Sequence, residues 1–116
     1  MANNYESLPL YKTTFDILVI VTEKTKNFNN DYKHTIGKAI FNDSTELVHQ
    51  FCKASTAKDK LPNIQRMIEL LELIEITARL SKELRLLNTT AYADIINLTN
   101  NALKQANGWL KSTKSK

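Results

Sequence analysis

Along the chain, stretches in which apolar residues return every three or four positions alternate with short polar breaks. In the first stretch Leu8, Tyr11, Phe15, Leu18 and then Thr22 fall at 3-4-3-4 intervals, the spacing of one face of an α-helix. Ile17, Ile20 and Val21 widen that stripe beyond one face. Pro9 is tolerated in a first turn, where its missing N–H would have no partner, and Ser7 is the candidate cap. The run Asn27-Phe28-Asn29-Asn30-Asp31 ends the helix, because Asn and Asp side chains compete for the backbone. A second stretch, capped by Asn30 or Asp31, carries Ile36, Ile40, Leu47, Phe51 and Ala54 on one side, with Asp43 and Ser44 interrupting it. Gly37 lies one turn inside and costs about 1 kcal/mol relative to Ala. It marks either a close helix–helix approach or a merely tolerated residue. After Ser55–Lys60, Pro62 opens a third stretch with a wide apolar arc: Met67, Ile68, Leu70, Leu71, Leu73, Ile74, Ile76, Leu80 and Leu84. Asn88-Thr89-Thr90 then breaks the chain and supplies a cap. The fourth stretch repeats Tyr92, Ile95, Thr99, Ala102, Ala106 and Trp109, with Ile96, Leu103 and Leu110 beside them.

The predicted helices are 8–27, 31–56, 60–87 and 89–111, followed by a disordered tail at 112–116. Short breaks make consecutive helices antiparallel. The predicted fold is therefore all-α, an up-down-up-down four-helix bundle in one domain over 1–116. Such a bundle needs one apolar stripe per helix. The first and third helices have more, which predicts a face for another subunit on at least one of them.

Composition narrows the function. Two glycines are too few for a phosphate-binding Gly-rich loop, and one cysteine, Cys52, allows no internal disulfide. The longest apolar run, Ile17–Val21, is far short of a membrane span, and no leader pattern opens the chain, so a cytoplasmic protein is expected. The three Asn-x-Ser/Thr sequons, at Asn42, Asn88 and Asn97, carry no meaning without secretion. The formal charge of +4 is unevenly placed: residues 1–103 hold twelve basic and twelve acidic side chains, and Lys104, Lys111, Lys114 and Lys116 supply the excess. A basic end suits either an anionic partner or plain solvation.

Catalytic parts are scarce. Asp31-x-x-His34 and Glu46-x-x-His49 have the acid–histidine spacing of di-metal bundles, but both lie on one helix, so no metal site and no cofactor are expected. Glu69, Glu72 and Glu75 form an acidic ladder, with Glu75 placed to pair with Arg79 at i, i+4. Arg79, Lys82 and Arg85 step by three residues along the end of the third helix, and Lys33, His34 and Lys38 open the second. In an antiparallel bundle these two basic groups share one end, while the tail lysines lie at the other.

Phe28-x-x-x-Tyr32-x-x-Thr35-Ile36-Gly37, the long Leu/Ile-rich third helix with Arg79, and the closing Gly108-Trp109-Leu110-Lys111 together resemble a known family. The chain is similar over nearly its whole length to Avd, the accessory variability determinant of diversity-generating retroelements. It also resembles the wider group of four-helix-bundle proteins encoded in intervening sequences of 23S ribosomal RNA genes. The resemblance implies a non-catalytic protomer of a pentameric barrel, a homo-oligomer that binds a reverse transcriptase and RNA or DNA. Carried onto this chain, the implied contact residues are Arg79, Lys82, Arg85, Lys33 and Lys38, then Lys104 and Lys111. A purely structural bundle that docks a protein partner, with no nucleic acid, is the competing expectation.

Overall fold

Pro9 opens α1 (Pro9–Thr25), preceded by Leu8 in an extended conformation and with no side-chain cap. The computed structural model describes residues 8–115, so the cap expected at Ser7 lies outside the described residues. The second rod, α2, has three consecutive pieces: a short α turn at Asn30–Tyr32, a π-helical stretch at Lys33–Gly37 and an α-helix at Lys38–Thr56. Asn29 caps it, its side chain accepting from the Asp31 N–H at 3.1 Å. Helix α3 spans Leu61–Glu83 and α4 spans Thr89–Lys114. The Asn88 side chain accepts from the Ala91 N–H at 2.7 Å, the cap that its position before the fourth apolar stretch predicts.

The protein is an all-α four-helix bundle. Helix α1 packs on α2 and α4, and α3 packs on α2 and α4, so α1 and α3 face each other diagonally across the core. The helices run antiparallel to their neighbours. At one end Tyr11, Phe51 and Trp109 meet, with ring centroids 5.8 and 5.6 Å apart. At the other, Lys82 lies over the Tyr92 ring, 5.0 Å from its centroid, and Gly37 abuts Thr25 and Phe28. Ile17, Val21, Ile40, Leu47, Phe51, Met67, Leu70, Leu71, Ile74 and Ile95 fill the centre.

The buried face of α1 is not the one its aliphatic spacing predicts. Leu10, Thr13, Thr14, Ile17, Val21 and Thr25 face the core, whereas Leu8, Phe15 and Thr22 are exposed. The threonines make this possible. Thr13 and Thr14 donate their hydroxyls to Pro9 O and Tyr11 O, each at 2.9 Å, and so are buried without an unmet donor.

Three boundaries also differ from expectation. The π-helical stretch has no hydropathy signature; it fits where Gly37 passes over Phe28, whose Cδ2 would lie 3.3 Å from any Cβ added there. The third helix stops at Glu83 rather than running on to Leu87. There the N–H groups of Leu86 and Leu87 turn back to Ser81 O at 2.8 and 3.3 Å, and Arg85 takes a left-handed φ of 62°. Helix α4 continues through Ser112–Lys114, where a tail is expected. Lys111 and Lys114 in its last turn suit the negative end of the helix dipole.

Candidate functional site

The two basic groups of the sequence lie toward the end of the bundle where α1 and α3 finish and α2 and α4 begin, but they are not brought together. They open on different grooves. Lys33, His34 and Lys38 line a groove of about 240 Å³ between α1 and α2, together with Thr22, Thr25, Lys26, Gly37 and Phe41. Arg79 lines a groove of about 300 Å³ between α3 and α4, with Glu75, Ile76, Tyr92, Ile96 and Asn100. Because α1 and α2 are adjacent, and α3 and α4 are adjacent, the two grooves lie on opposite flanks of one end.

The three-residue ladder of Arg79, Lys82 and Arg85 does not survive as a single stripe. Lys82 is half-buried over Tyr92, where the ring face attracts its ammonium. Arg85 sits past the helix end in the left-handed turn, so its side chain leaves the helical register. Lys104 and Lys111 are exposed on the opposite half of α4 and join neither groove. Trp109, beside Lys111, packs on Phe51 rather than facing solvent, and Gly108 has open space around it.

Among the described residues, none of Lys33, Lys38, Arg79, Lys82, Arg85, Lys104 and Lys111 is in an ion pair. Glu75 makes no ion pair with Arg79, although both line the same groove; it accepts the Thr99 hydroxyl at 2.8 Å, because Thr99 is buried on the facing side of α4. The expected Glu75–Arg79 pair is therefore absent among the described contacts, and Arg79 keeps its charge for another partner. Glu46 is gripped by both arms of Arg66, Nε to Oε2 at 2.8 Å and Nη2 to Oε1 at 3.0 Å. That contact holds the Glu46 carboxyl below the ordinary carboxylate range and raises Arg66 above its own. Partial burial dominates at Asp43 and pushes its carboxyl up, against the pull of Arg66.

With Glu46 committed to Arg66, the Glu46-x-x-His49 spacing is a strut between α2 and α3. No group of three or more His, Cys, Asp or Glu among the described residues is placed to hold a metal ion. No helix among them is long and apolar enough to cross a membrane. Cys52 is a half-buried free thiol.

Two apolar stripes remain outside the core. On α1, Leu8, Phe15 (43% exposed) and Val19 (41%) share one side, with Phe41 of α2 also exposed. On α3, Leu73, Ile76 (65%), Leu80 and Leu84 make a continuous stripe. These are the two helices whose apolar excess predicts a subunit face, and they are diagonal in the bundle. Lys26 and Tyr92 are the site residues that spacing does not single out. Lys26 is legible only from its position just before the turn that folds α2 back along α1. No protein-family model matches the chain, and no curated protein matches it in sequence.

Proposed function

We propose that the chain is a protomer of a ring-shaped homo-oligomer, a pentamer on the family resemblance. In this reading it acts as a non-catalytic accessory protein of a retroelement reverse transcriptase and binds RNA or DNA through its basic end. The observation that carries the assembly is the pair of exposed apolar stripes on diagonal helices. A two-fold dimer buries one patch against its own copy and would leave the other stripe in water. A head-to-tail contact, α1 stripe of one protomer on α3 stripe of the next, uses both on every copy, and a rotation between copies that closes on the fifth gives the ring of this reading. The unpaired cations at one end support the polyanion half of the reading. Five copies sum to about +20 and repeat the basic end around the ring.

A second reading is favoured by the α3–α4 groove, where Ile76, Ile96 and Tyr92 lie beside Arg79: a docking surface for a protein segment, the reverse transcriptase in the first instance. Under it the bundle is a structural interaction module with no nucleic-acid role.

Light scattering on the purified protein tests the assembly. The expected mass is five times the 13.3 kDa protomer. Ile76→Lys, or Phe15→Lys on the other stripe, should each give monomers that keep their helical circular dichroism. A monomeric wild type removes the ring. Filter binding at low salt tests the polyanion half: a signal that falls steeply as salt rises is expected, and no signal from an intact ring leaves the structural module as the reading.

A further inference from the structure

We propose that the groove between α1 and α2 is the site that holds the phosphodiester backbone, with Lys26, Lys33, His34 and Lys38 as its ligands. This rests on the nucleic-acid reading above and narrows it to one of the two basic grooves. The first argument is geometric. The π-helical stretch Lys33–Gly37 and the first turn of the α-helix after it put Lys33, His34 and Lys38 on the side of α2 that faces α1, with Lys26 contributed from the end of α1. Gly37, buried under Phe28, lets this widened turn sit close against α1.

The second argument is the lining. No carboxylate is among the groove's residues, whereas Glu75 lines the α3–α4 groove beside Arg79. Among the described residues, Lys26, Lys33, His34 and Lys38 make no ion pair or side-chain hydrogen bond that would have to break. Lysine offers a point charge without the planar fork of arginine, so the groove is suited to phosphates of any sequence rather than to base edges. Lysines from both helices line it, which suits a chain of phosphates crossing from α1 to α2.

Binding of a fluorescein-labelled single-stranded RNA and of duplex DNA, measured by anisotropy across a salt series, tests the proposal. Each cation that stops neutralising a phosphate lowers the slope of log K against log salt by about 0.7 for single strands and 0.9 for duplex DNA. Lys33→Gln/Lys38→Gln should therefore lose about 1.4 of slope on RNA, and Lys26→Gln about half as much. Lys104→Gln/Lys111→Gln should keep the wild-type slope. All five positions are exposed, and an unchanged circular dichroism spectrum and oligomer mass establish that the variants are folded. If wild-type protein binds RNA or DNA but Arg79→Gln/Lys82→Gln loses the slope while Lys33→Gln/Lys38→Gln keeps it, the groove assignment fails and the nucleic-acid reading stands. If wild type binds neither polymer at low salt, both fail. Binding only to phosphatidylglycerol vesicles, sensitive to Lys33→Gln/Lys38→Gln, reassigns the groove to lipid headgroups and overturns the proposal.

Discussion

Arg85 is a side chain held where glycine would sit more easily. The chain after α3 closes with Leu86 and Leu87 N–H groups on Ser81 O, and this turn requires the left-handed φ of 62° at Arg85. For an L-residue with a Cβ, that region costs about 1–2 kcal/mol, and glycine avoids it. Glycine also loses more freedom on folding, which returns part of the gain. Arg85→Gly should therefore stabilise the fold by about 1 kcal/mol. With an unfolding entropy of about 2.1 cal/mol/K per residue, the 116-residue chain has about 240 cal/mol/K at its midpoint. One kcal/mol then raises Tm by about 4 °C, measured by circular dichroism or calorimetry at fixed protein concentration. Arg85→Ala is the control, since it removes the guanidinium and keeps the strain, and its Tm should stay near wild type. A Tm for Arg85→Gly at or below that of Arg85→Ala refutes the strain argument. The same pair of variants asks why arginine stands there. If its guanidinium contacts a polyanion or the polymerase, both variants bind more weakly although one is more stable. Undiminished binding in both removes Arg85 from the contact set.

Gly37→Ala places a methyl 3.3 Å from buried Phe28 Cδ2, whereas Gly108→Ala meets nothing within 4 Å. Gly108→Ala should gain up to about 1 kcal/mol of helix propensity in a urea melt, and Gly37→Ala should fall clearly below it because overpacking costs about 1–3 kcal/mol. Lys60 donates to the carbonyls of Ala54, Ala57 and Ser55 at 2.8, 3.0 and 3.4 Å and so closes the end of α2. Lys60→Met should lower the urea midpoint by the equivalent of about 1 kcal/mol with an unchanged m-value. Glu46 is held below the ordinary carboxylate value of 4.5 by Arg66, so the stability it contributes is fully present above that value and is lost as pH falls through the lowered folded one. The gap in Tm between wild type and Glu46→Gln should be constant near neutrality and shrink below about pH 4.5; a gap that persists in acid means that the Arg66 contact is not its source.

What was legible in the sequence follows from which interactions are local. The helix count, the Asn88 cap and the buried series Ile40, Leu47, Phe51 and Ala54 depend on period and on residues within a turn or two; at Gly37 the sequence leaves close approach and tolerance both open, and the contact with Phe28 decides between them. That both basic groups lie toward one end follows from short breaks alone. The core face of α1 was hidden because threonine is counted as polar, while Thr13 and Thr14 satisfy their own hydroxyls in the preceding turn and pack as hydrocarbon. In the stripe that spacing marks as core, Leu8, Phe15 and Thr22 are exposed while Tyr11 and Leu18 are half-buried, so the apolar excess is real and its orientation is turned. The partner of Glu75 was misread for a related reason. An i, i+4 rule knows only its own helix, and Thr99 reaches Glu75 from α4. Neither the π-helical stretch nor the turn at Arg85 has a hydropathy signature.

These corrections bear on charge more than on shape. Counted along the chain, the first 103 residues are neutral, and the excess of +4 sits in the last thirteen. In space the cancellation is uneven. Arg66 occupies Glu46 and reaches toward Glu69, and Lys12 takes Asp16. Arg66 and Lys12 are not in the grooves, so the acids they hold offset the basic groups on paper and not where a ligand would lie. A phosphate within a Debye length of about 8 Å at physiological salt responds to the local set, not to the chain total. In the α1–α2 groove that set is three lysines and a histidine with no carboxylate in the lining, offset in part by Asp31 two residues before Lys33. Lys104, Lys111 and Lys114, on the half of α4 away from both grooves, are weaker candidates than their share of the net charge implies. If the ring is correct, the groove repeats once per protomer, and the salt slope of the intact oligomer should exceed that of a monomer made by Ile76→Lys. Equal slopes would mean that a single groove, not the array, sets the binding.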